Sequence, residues 1–239
     1  MHIAYDAAPH SRGQYRDVTV ILKALAILAL CALSACGGGS QVMQQASAQP
    51  ARSRPLSDVV AFMGDSITQL WDIAVNDPAP TINFGVFGQT TPQMLVRFNN
   101  EVIASAPGVV VIQGGLNDIA QYANGVITTP PDIESIKAMA AMAQAAGIRV
   151  ILCSVLPTNY NSVSDPLLAS IPATVVDFNQ QLLALAQASG YLYADYYDSM
   201  LAADGSQNTS LFMDPVHPNS AGYAVMWKVL QPLVDEDLQ

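Results

Sequence analysis

The chain is poor in the residues from which disulfides, metal centres and nucleic-acid surfaces are built. Among 239 residues there are three cysteines, three histidines and nine lysines or arginines, against 19 acidic side chains. The first 35 residues read as a leader, and His2, His10 and Cys31 fall within it. Beyond the leader only His217, Cys36 and Cys153 remain. With Cys36 assigned to lipid below, no pair is left for an intrachain disulfide. Val150-Ile151-Leu152-Cys153 reads as a buried strand in which cysteine is a small hydrophobe. A zinc site of the usual nitrogen and sulfur type lacks ligands, and no Walker loop or dinucleotide fingerprint follows the first predicted strand, so no cofactor is expected. The Gly-x-Ser-x-Gly signature of other serine hydrolases is absent, as is any internal repeat. Without residues 1–35 the chain carries 17 acidic and 6 basic side chains, a net charge of −11. Such a surface repels nucleic acid, whose binding depends on neutralising phosphate with Lys and Arg.

What is present begins with that leader. Arg12, Arg16 and Lys23 precede the apolar run Ala24 to Leu33, and Leu33-Ser34-Ala35-Cys36 ends it with small residues before a cysteine. The run has signal-peptide length and is too short to span a bilayer. Gly37-Gly38-Gly39 and a Gln/Ala/Ser stretch to about Pro55 follow, a composition that makes tether and not core. The organisation expected is a signal peptide over 1–35, a tether over 36–55 and one domain over 56–239, of ordinary size for a single core.

Within the domain, short apolar runs alternate with helical patterns. Strands are expected at Val59 to Met63, Thr81 to Phe84, Val109 to Gln113, Arg149 to Cys153 and Tyr191 to Asp195, each continuous enough to be covered on both faces. One helix is expected from Thr129 as N-cap with Pro130 in its first turn, burying Ile133, Ile136, Ala140 and Ala143 and stopping at Gly147. A second should run from about Thr174 to Ser189 and stop at Gly190. A third should begin near Asn219 or Ser220 and turn Tyr223, Met226, Trp227 and Leu230 inward. The alternation predicts a parallel sheet with right-handed crossovers, an α/β fold of three layers.

The polar motifs fall at the carboxyl ends of these strands, the edge where open parallel sheets hold ligands. Gly64-Asp65-Ser66 follows the first, Gly85-Val-Phe-Gly88-Gln-Thr90 the second and Gly114-Gly115-Leu116-Asn117-Asp118 the third. Asp214-Pro-Val-His217 precedes the last helix. Each has a chemical reason. A serine at a strand-to-helix turn exposes its hydroxyl and puts its own N–H at a helix start, where partial positive charge favours an oxyanion. Gly88 lets the backbone offer a second N–H, and Asn117 an amide donor. His217 can take the serine proton while Asp214 orients the ring. Singly these motifs are ordinary turns and caps. Their joint occurrence in one order at strand ends points to Ser66, His217 and Asp214 as catalytic residues, with Ser66, Gly88 and Asn117 as an oxyanion hole. A glycosidase built on Asp65, Asp118 and Asp214 would leave Ser66, Asn117 and His217 without roles.

The four blocks resemble those of the SGNH, or GDSL, hydrolase superfamily of esterases and lipases. Phe62-Met-Gly-Asp-Ser-Ile-Thr68 with Trp71, Gln89-Thr-Thr91 and Arg97-Phe98 are similar to the branch related to platelet-activating-factor acetylhydrolase, lysophospholipase and acetyl-sugar esterases. The resemblance implies a flavodoxin-like α/β/α sandwich with a five-stranded parallel sheet, and a serine esterase acting on short-chain, acetyl-type esters of small molecules, carbohydrates or lipids. It also implies that Asp65 and Asp118 hold loops rather than react. Acyl transfer or lysophospholipase activity at the same site is the alternative, followed by a non-catalytic lipid-anchored binding protein. Phe87 stands where many relatives carry glycine and Leu116 where many carry threonine, both beside expected donors. The segment 158–172, with Tyr160, Pro166, Leu167 and Leu168, is expected either to wall the crevice or to be a plain surface loop. Cys36 resembles the lipidated cysteine of bacterial lipoproteins, and Gly37 after it an outer-membrane address. Oligomeric state is not legible.

Overall fold

A computed structural model describes residues 58–73, 80–160 and 166–237. The expected signal peptide, the tether and Cys36 lie outside the described residues, as does part of the 158–172 segment.

Five strands, β1 (Val60–Gly64), β2 (Thr81–Gly85), β3 (Val109–Gln113), β4 (Arg149–Cys153) and β5 (Leu192–Ala194), form one parallel sheet in the order β2-β1-β3-β4-β5. Every residue of β1 and β3 is buried, as their unbroken apolar sequences require of strands covered on both faces. The helices are α1 (Ser66–Gln69), α2 (Thr91–Phe98), α3 (Leu116–Ala123), α4 (Glu134–Ala145), α5 (Pro166–Ala169), α6 (Ile171–Ser189), α7 (Tyr196–Ser199) and α8 (Ser220–Asp237). Crossovers from β2 to β3, β3 to β4 and β4 to β5 run one way across the sheet, while β1 to β2 runs the other. Right-handedness then assigns α2, α4 and α6 to one layer and α1 to the opposite one. The order matches the flavodoxin-like arrangement, with its switch point at β1 and β3. No helix among the described residues is long and apolar enough to cross a membrane.

Boundaries differ from the sequence expectation in places with local causes. The helix expected from Thr129 starts at Glu134, with Asp132 Oδ1 accepting the Glu134 N–H at 3.0 Å. The Pro130-Pro131 pair explains the delay, because a proline drives the residue before it out of helical backbone. The helix expected from Thr174 starts three residues earlier, since Pro172 fits its first turn; it ends at Gly190 in left-handed conformation, φ +72°. β1 is shifted by one residue and β5 shortened to Leu192–Ala194. In α8 Tyr223, Met226, Trp227 and Leu230 are buried as the periodicity implies. Cys153 is a free, buried thiol, and burial pushes its pKa up to about 12, so it behaves as a hydrophobe.

Aromatic packing braces the first βα turn. The Trp71 ring stacks on Tyr223 of α8, with centroids 5.5 Å apart, and meets Phe62 and Tyr196 edge-on at 5.8 and 6.3 Å. Tyr223 also donates its hydroxyl to the Ile67 carbonyl at 2.8 Å, joining residues 156 apart in sequence. Helix α8 thereby holds α1 in place.

Candidate active site

Helix α1 is a single turn, closed by the Gln69 N–H to Asp65 O at 2.9 Å and the Leu70 N–H to Ser66 O at 3.0 Å. Four residues build little macrodipole, so the positive character expected at Ser66 comes mainly from orphan N–H groups. Asp65 caps the turn by accepting from the Ile67 N–H at 3.0 Å. At its other end Asn83 of β2 donates to the carbonyls of Thr68 at 2.7 Å and Trp71 at 3.2 Å. A helix too short to persist alone is therefore fixed by its neighbours at both ends.

The histidine loop is held just as fully. Gln207 donates from Nε2 to the carbonyls of Pro157 and Pro215, both at 2.9 Å. The Met213 N–H donates to His217 O at 2.9 Å, and the Asn159 N–H to Pro215 O at 3.2 Å. Asp214 Oδ1 accepts the backbone N–H groups of Val216 at 2.8 Å and His217 at 2.7 Å. Its Oδ2 lies 2.7 Å from His217 Nδ1, and His217 Nε2 lies 3.0 Å from Ser66 Oγ. Three side chains, one of them 151 residues from another, are thus linked in one hydrogen-bonded row. Burial works to raise the pKa of Asp214, but the His217 and Val216 N–H groups and the imidazole outweigh it and hold the carboxyl below the usual range.

The three expected oxyanion donors border the same cavity of about 150 Å³, lined by Ser66, Gly88, Asn117 and His217 together with Phe87, Leu116, Tyr160 and other residues. Gly88 adopts φ +74°, a left-handed conformation that glycine supplies without strain. Among the described residues no backbone partner takes the Ser66 or Gly88 N–H. Asn117 donates to Gln89 O at 3.0 Å and makes a longer contact of 3.4 Å with Asp65 Oδ2. Gly115 before it has φ +120°, and a Cβ there would lie 2.5 Å from the Phe178 ring, so backbone conformation and packing both demand glycine.

Asp65 and Asp118 do hold loops. Asp118 accepts the Thr91 N–H at 2.9 and 3.1 Å and the Thr91 hydroxyl at 2.8 Å, tying the start of α3 to the start of α2. Burial raises its pKa although the Thr91 bonds pull it down. Asp65 is raised to about 6, chiefly by burial and further by Asp118, against the Ile67 N–H and the nearby His217.

Sequence reasoning missed Arg97, beyond its place in a family-like block. Its side chain is only 14% exposed and pairs with Glu101. It donates to Phe84 O at 2.7 Å and Gly64 O at 3.1 Å, and its Nε donates to Gln89 Oε1 at 2.7 Å. One guanidinium therefore clamps the ends of β1 and β2 and the residue whose carbonyl receives Asn117. A basic side chain within the first helix after a glycine-rich loop was the signal available. Of the 158–172 segment, Tyr160 lines the cavity while Leu168 packs against the core.

The linked Ser66, His217 and Asp214 side chains and the Ser66 and Gly88 N–H groups lie together at the carboxyl edge of the open parallel sheet, the edge at which such sheets hold ligands. The chain belongs to the GDSL-like lipase/acylhydrolase family, whose model matches residues 62–225, and it is a carboxylic ester hydrolase. Solved structures agree. A candidate acylhydrolase from Bacteroides fragilis is 32% identical over 77% of this chain and 92% of its own, with a TM-score of 0.66. A GDSL-like lipase from Bacteroides thetaiotaomicron is 29% identical over 75% and 88%, with a TM-score of 0.64. A catalytic mutant of an acetylxylan esterase from Geobacillus stearothermophilus shares the fold at 16% identity, covering 76% and 96%, with a TM-score of 0.61. Comparison with curated proteins found no match.

Two outcomes follow from the buried charges. Because the folded pKa of Asp65 exceeds its unfolded value, the stability it contributes is complete below pH 3.8 and lost as pH rises through about 6. The stability of Asp65→Asn relative to wild type, from urea denaturation, should therefore rise between about pH 4 and pH 7, and a flat difference would contradict the shift. For Arg97, replacement by Met, or Gln89→Ala cutting the same link, should lower kcat about tenfold with little change in KM. Loss of melting temperature with kcat intact would reduce the clamp to a structural one.

Proposed function

We propose that the protein is a serine esterase working through an acyl-enzyme on Ser66, with His217 as general base, Asp214 orienting it, and the Ser66 N–H, Gly88 N–H and Asn117 amide receiving the oxyanion. The observation that carries this reading is the row from Ser66 Oγ to His217 Nε2 at 3.0 Å and from His217 Nδ1 to Asp214 Oδ2 at 2.7 Å. Ser66 Oγ attacks the ester carbonyl carbon while its proton moves to Nε2. The carbonyl oxygen takes the negative charge. Its Asn117 donor is the amide hydrogen otherwise left with only the 3.4 Å contact to Asp65, the other being committed to Gln89 O. The imidazolium then protonates the alcohol oxygen as the carbon–oxygen bond breaks, and water deacylates the serine by the same steps in reverse. Asp214 keeps the proton-bearing nitrogen at Nδ1 and holds the ring with Nε2 toward Ser66.

Short acyl groups are favoured by the cavity, since about 150 Å³ is well below the roughly 300 Å³ at which pockets for larger ligands begin. The acetyl esterase among the structural neighbours is consistent with that size, although it shares only the fold.

Ser66→Ala should lower kcat on p-nitrophenyl acetate by about three to six powers of ten with folding unchanged. A fluorophosphonate should label Ser66; labelling elsewhere, or retention of more than about a tenth of the activity, would sink the assignment. Asn117→Ala should cut kcat by about 10² to 10³ with KM nearly constant, because its donated bond belongs to the transition state.

We also propose that the chain is cleaved before Cys36, lipidated there and held at the bacterial cell envelope, on the strength of Leu33-Ser34-Ala35-Cys36 after an apolar run. Mass spectrometry of membrane fractions should find a diacylglyceryl group on Cys36. A free Cys36 in a soluble fraction, or an intact Met1 terminus, would refute it.

A further inference from the structure

The ring of Phe87 is placed at the site rather than in the core. Phe87 is 68% exposed. Its ring centre lies 6.1 Å from that of His217, with the two planes 16° apart, and it lines the cavity shared by Ser66, Gly88 and Asn117. The backbone beneath it is pinned, its N–H donating to Gln69 Oε1 at 2.6 Å. A large apolar side chain so exposed on a fixed backbone next to the imidazole offers an unused aromatic face.

We infer that Phe87 is a specificity-determining residue that receives the alcohol half of the ester, and that the preferred alcohols are aromatic. This rests on the serine-esterase reading above. In that reading the proton on Nε2 passes to the oxygen of the departing alcohol, which must sit within hydrogen-bond distance of Nε2. The carbons attached to that oxygen therefore lie beside the imidazole, and the exposed ring 6.1 Å from its centre is the surface next to them. An aryl group one or two bonds beyond the oxygen falls within the roughly 4.5 to 7 Å separation at which aromatic rings stack with offset. Ile67, Leu116, Ala120 and Val216 add apolar surface to a lining that also carries the polar side chains of Asp65, Asn117 and Tyr160, so the aromatic preference rests on the exposed ring of Phe87.

The test compares 2-phenylethyl acetate with n-hexyl acetate, esters that share an acyl group and have alcohols of similar acidity and apolar size. The wild-type protein should favour the aryl ester in kcat/KM by about fivefold, the worth of one aromatic pair gained in the transition state. Phe87→Leu should bring the ratio to about one, and Phe87→Trp should preserve it. The preference between phenylethyl acetate and phenylethyl butyrate should be the same in wild type and Phe87→Leu, because the ring faces the alcohol and not the acyl chain. An alcohol ratio unaffected by Phe87→Leu, or an acyl preference that shifts while the alcohol ratio stays, overturns the inference. Fluorophosphonate labelling separates the two levels. A labelled, active Ser66 with an unchanged alcohol ratio removes only the role of Phe87, whereas an unlabelled Ser66 and no turnover of any ester removes the esterase reading beneath it.

Discussion

The in-register parallel ladder around β1 is the constraint from which the site follows. Gly64 is level with Gly85 on one side and with Gln113 on the other. Three strands therefore end at one height, and the loops leaving them carry Ser66, Gly88 and Asn117 to one edge. A parallel strand cannot slip by one residue without turning its side chains to the opposite face. In β1 and β3, where every residue is buried, a slip would also change which residues each loop begins with. The spacing between the nucleophile turn and the oxyanion loops is thus set by the hydrogen bonding of the core.

Short elements at that edge are held by polar side chains that each engage more than one group. Asp65 caps α1 and reaches Asn117; Asp118 takes both the N–H and hydroxyl of Thr91; Gln207 bridges two prolyl carbonyls; Arg97 gathers two strand ends and Gln89. Burial makes such groups expensive unless they are paired, and pairing them across segments distant in sequence gives the loops positions they would not keep alone. The raised pKa of Asp65 records that cost. The hydrogen bond that Asp65 accepts from the Ile67 N–H fixes the turn that carries Ser66, and its other carboxyl oxygen lies 3.4 Å from the Asn117 amide.

Solved structures of related hydrolases share this scaffold, and in this chain its rim carries both constrained and open positions. Gly115 is fixed by the Phe178 ring and by a backbone conformation that side chains resist. Phe87 lies one residue from Gly88, where the backbone is equally constrained but a side chain at 87 meets solvent. The same loop can therefore keep its donor while exchanging the surface beside the imidazole, which is how a family can retain one chemistry and vary its substrates.

Taken alone, the sequence determined the five strands to within a residue or two, the sense of the sheet, the inward face of α8 and the four blocks of the site. These depend on local pattern: continuous apolar runs, helical periodicity, and glycines and prolines acting within a few residues of themselves. Pro130-Pro131 shows the limit of that legibility, since the same residues that announce a helix start can also delay it. Only the tertiary structure decided that His217 meets Ser66, that Tyr223 supports Ile67 O, that Arg97 joins β1, β2 and Gln89, and that Phe87 lies beside the imidazole. Those contacts join residues as many as 156 positions apart. Apart from the meeting of His217 with Ser66, which the order of the motif blocks had led one to expect, they have no signature in the local pattern, because they arise where separate loops are brought to one edge by the pairing of strands.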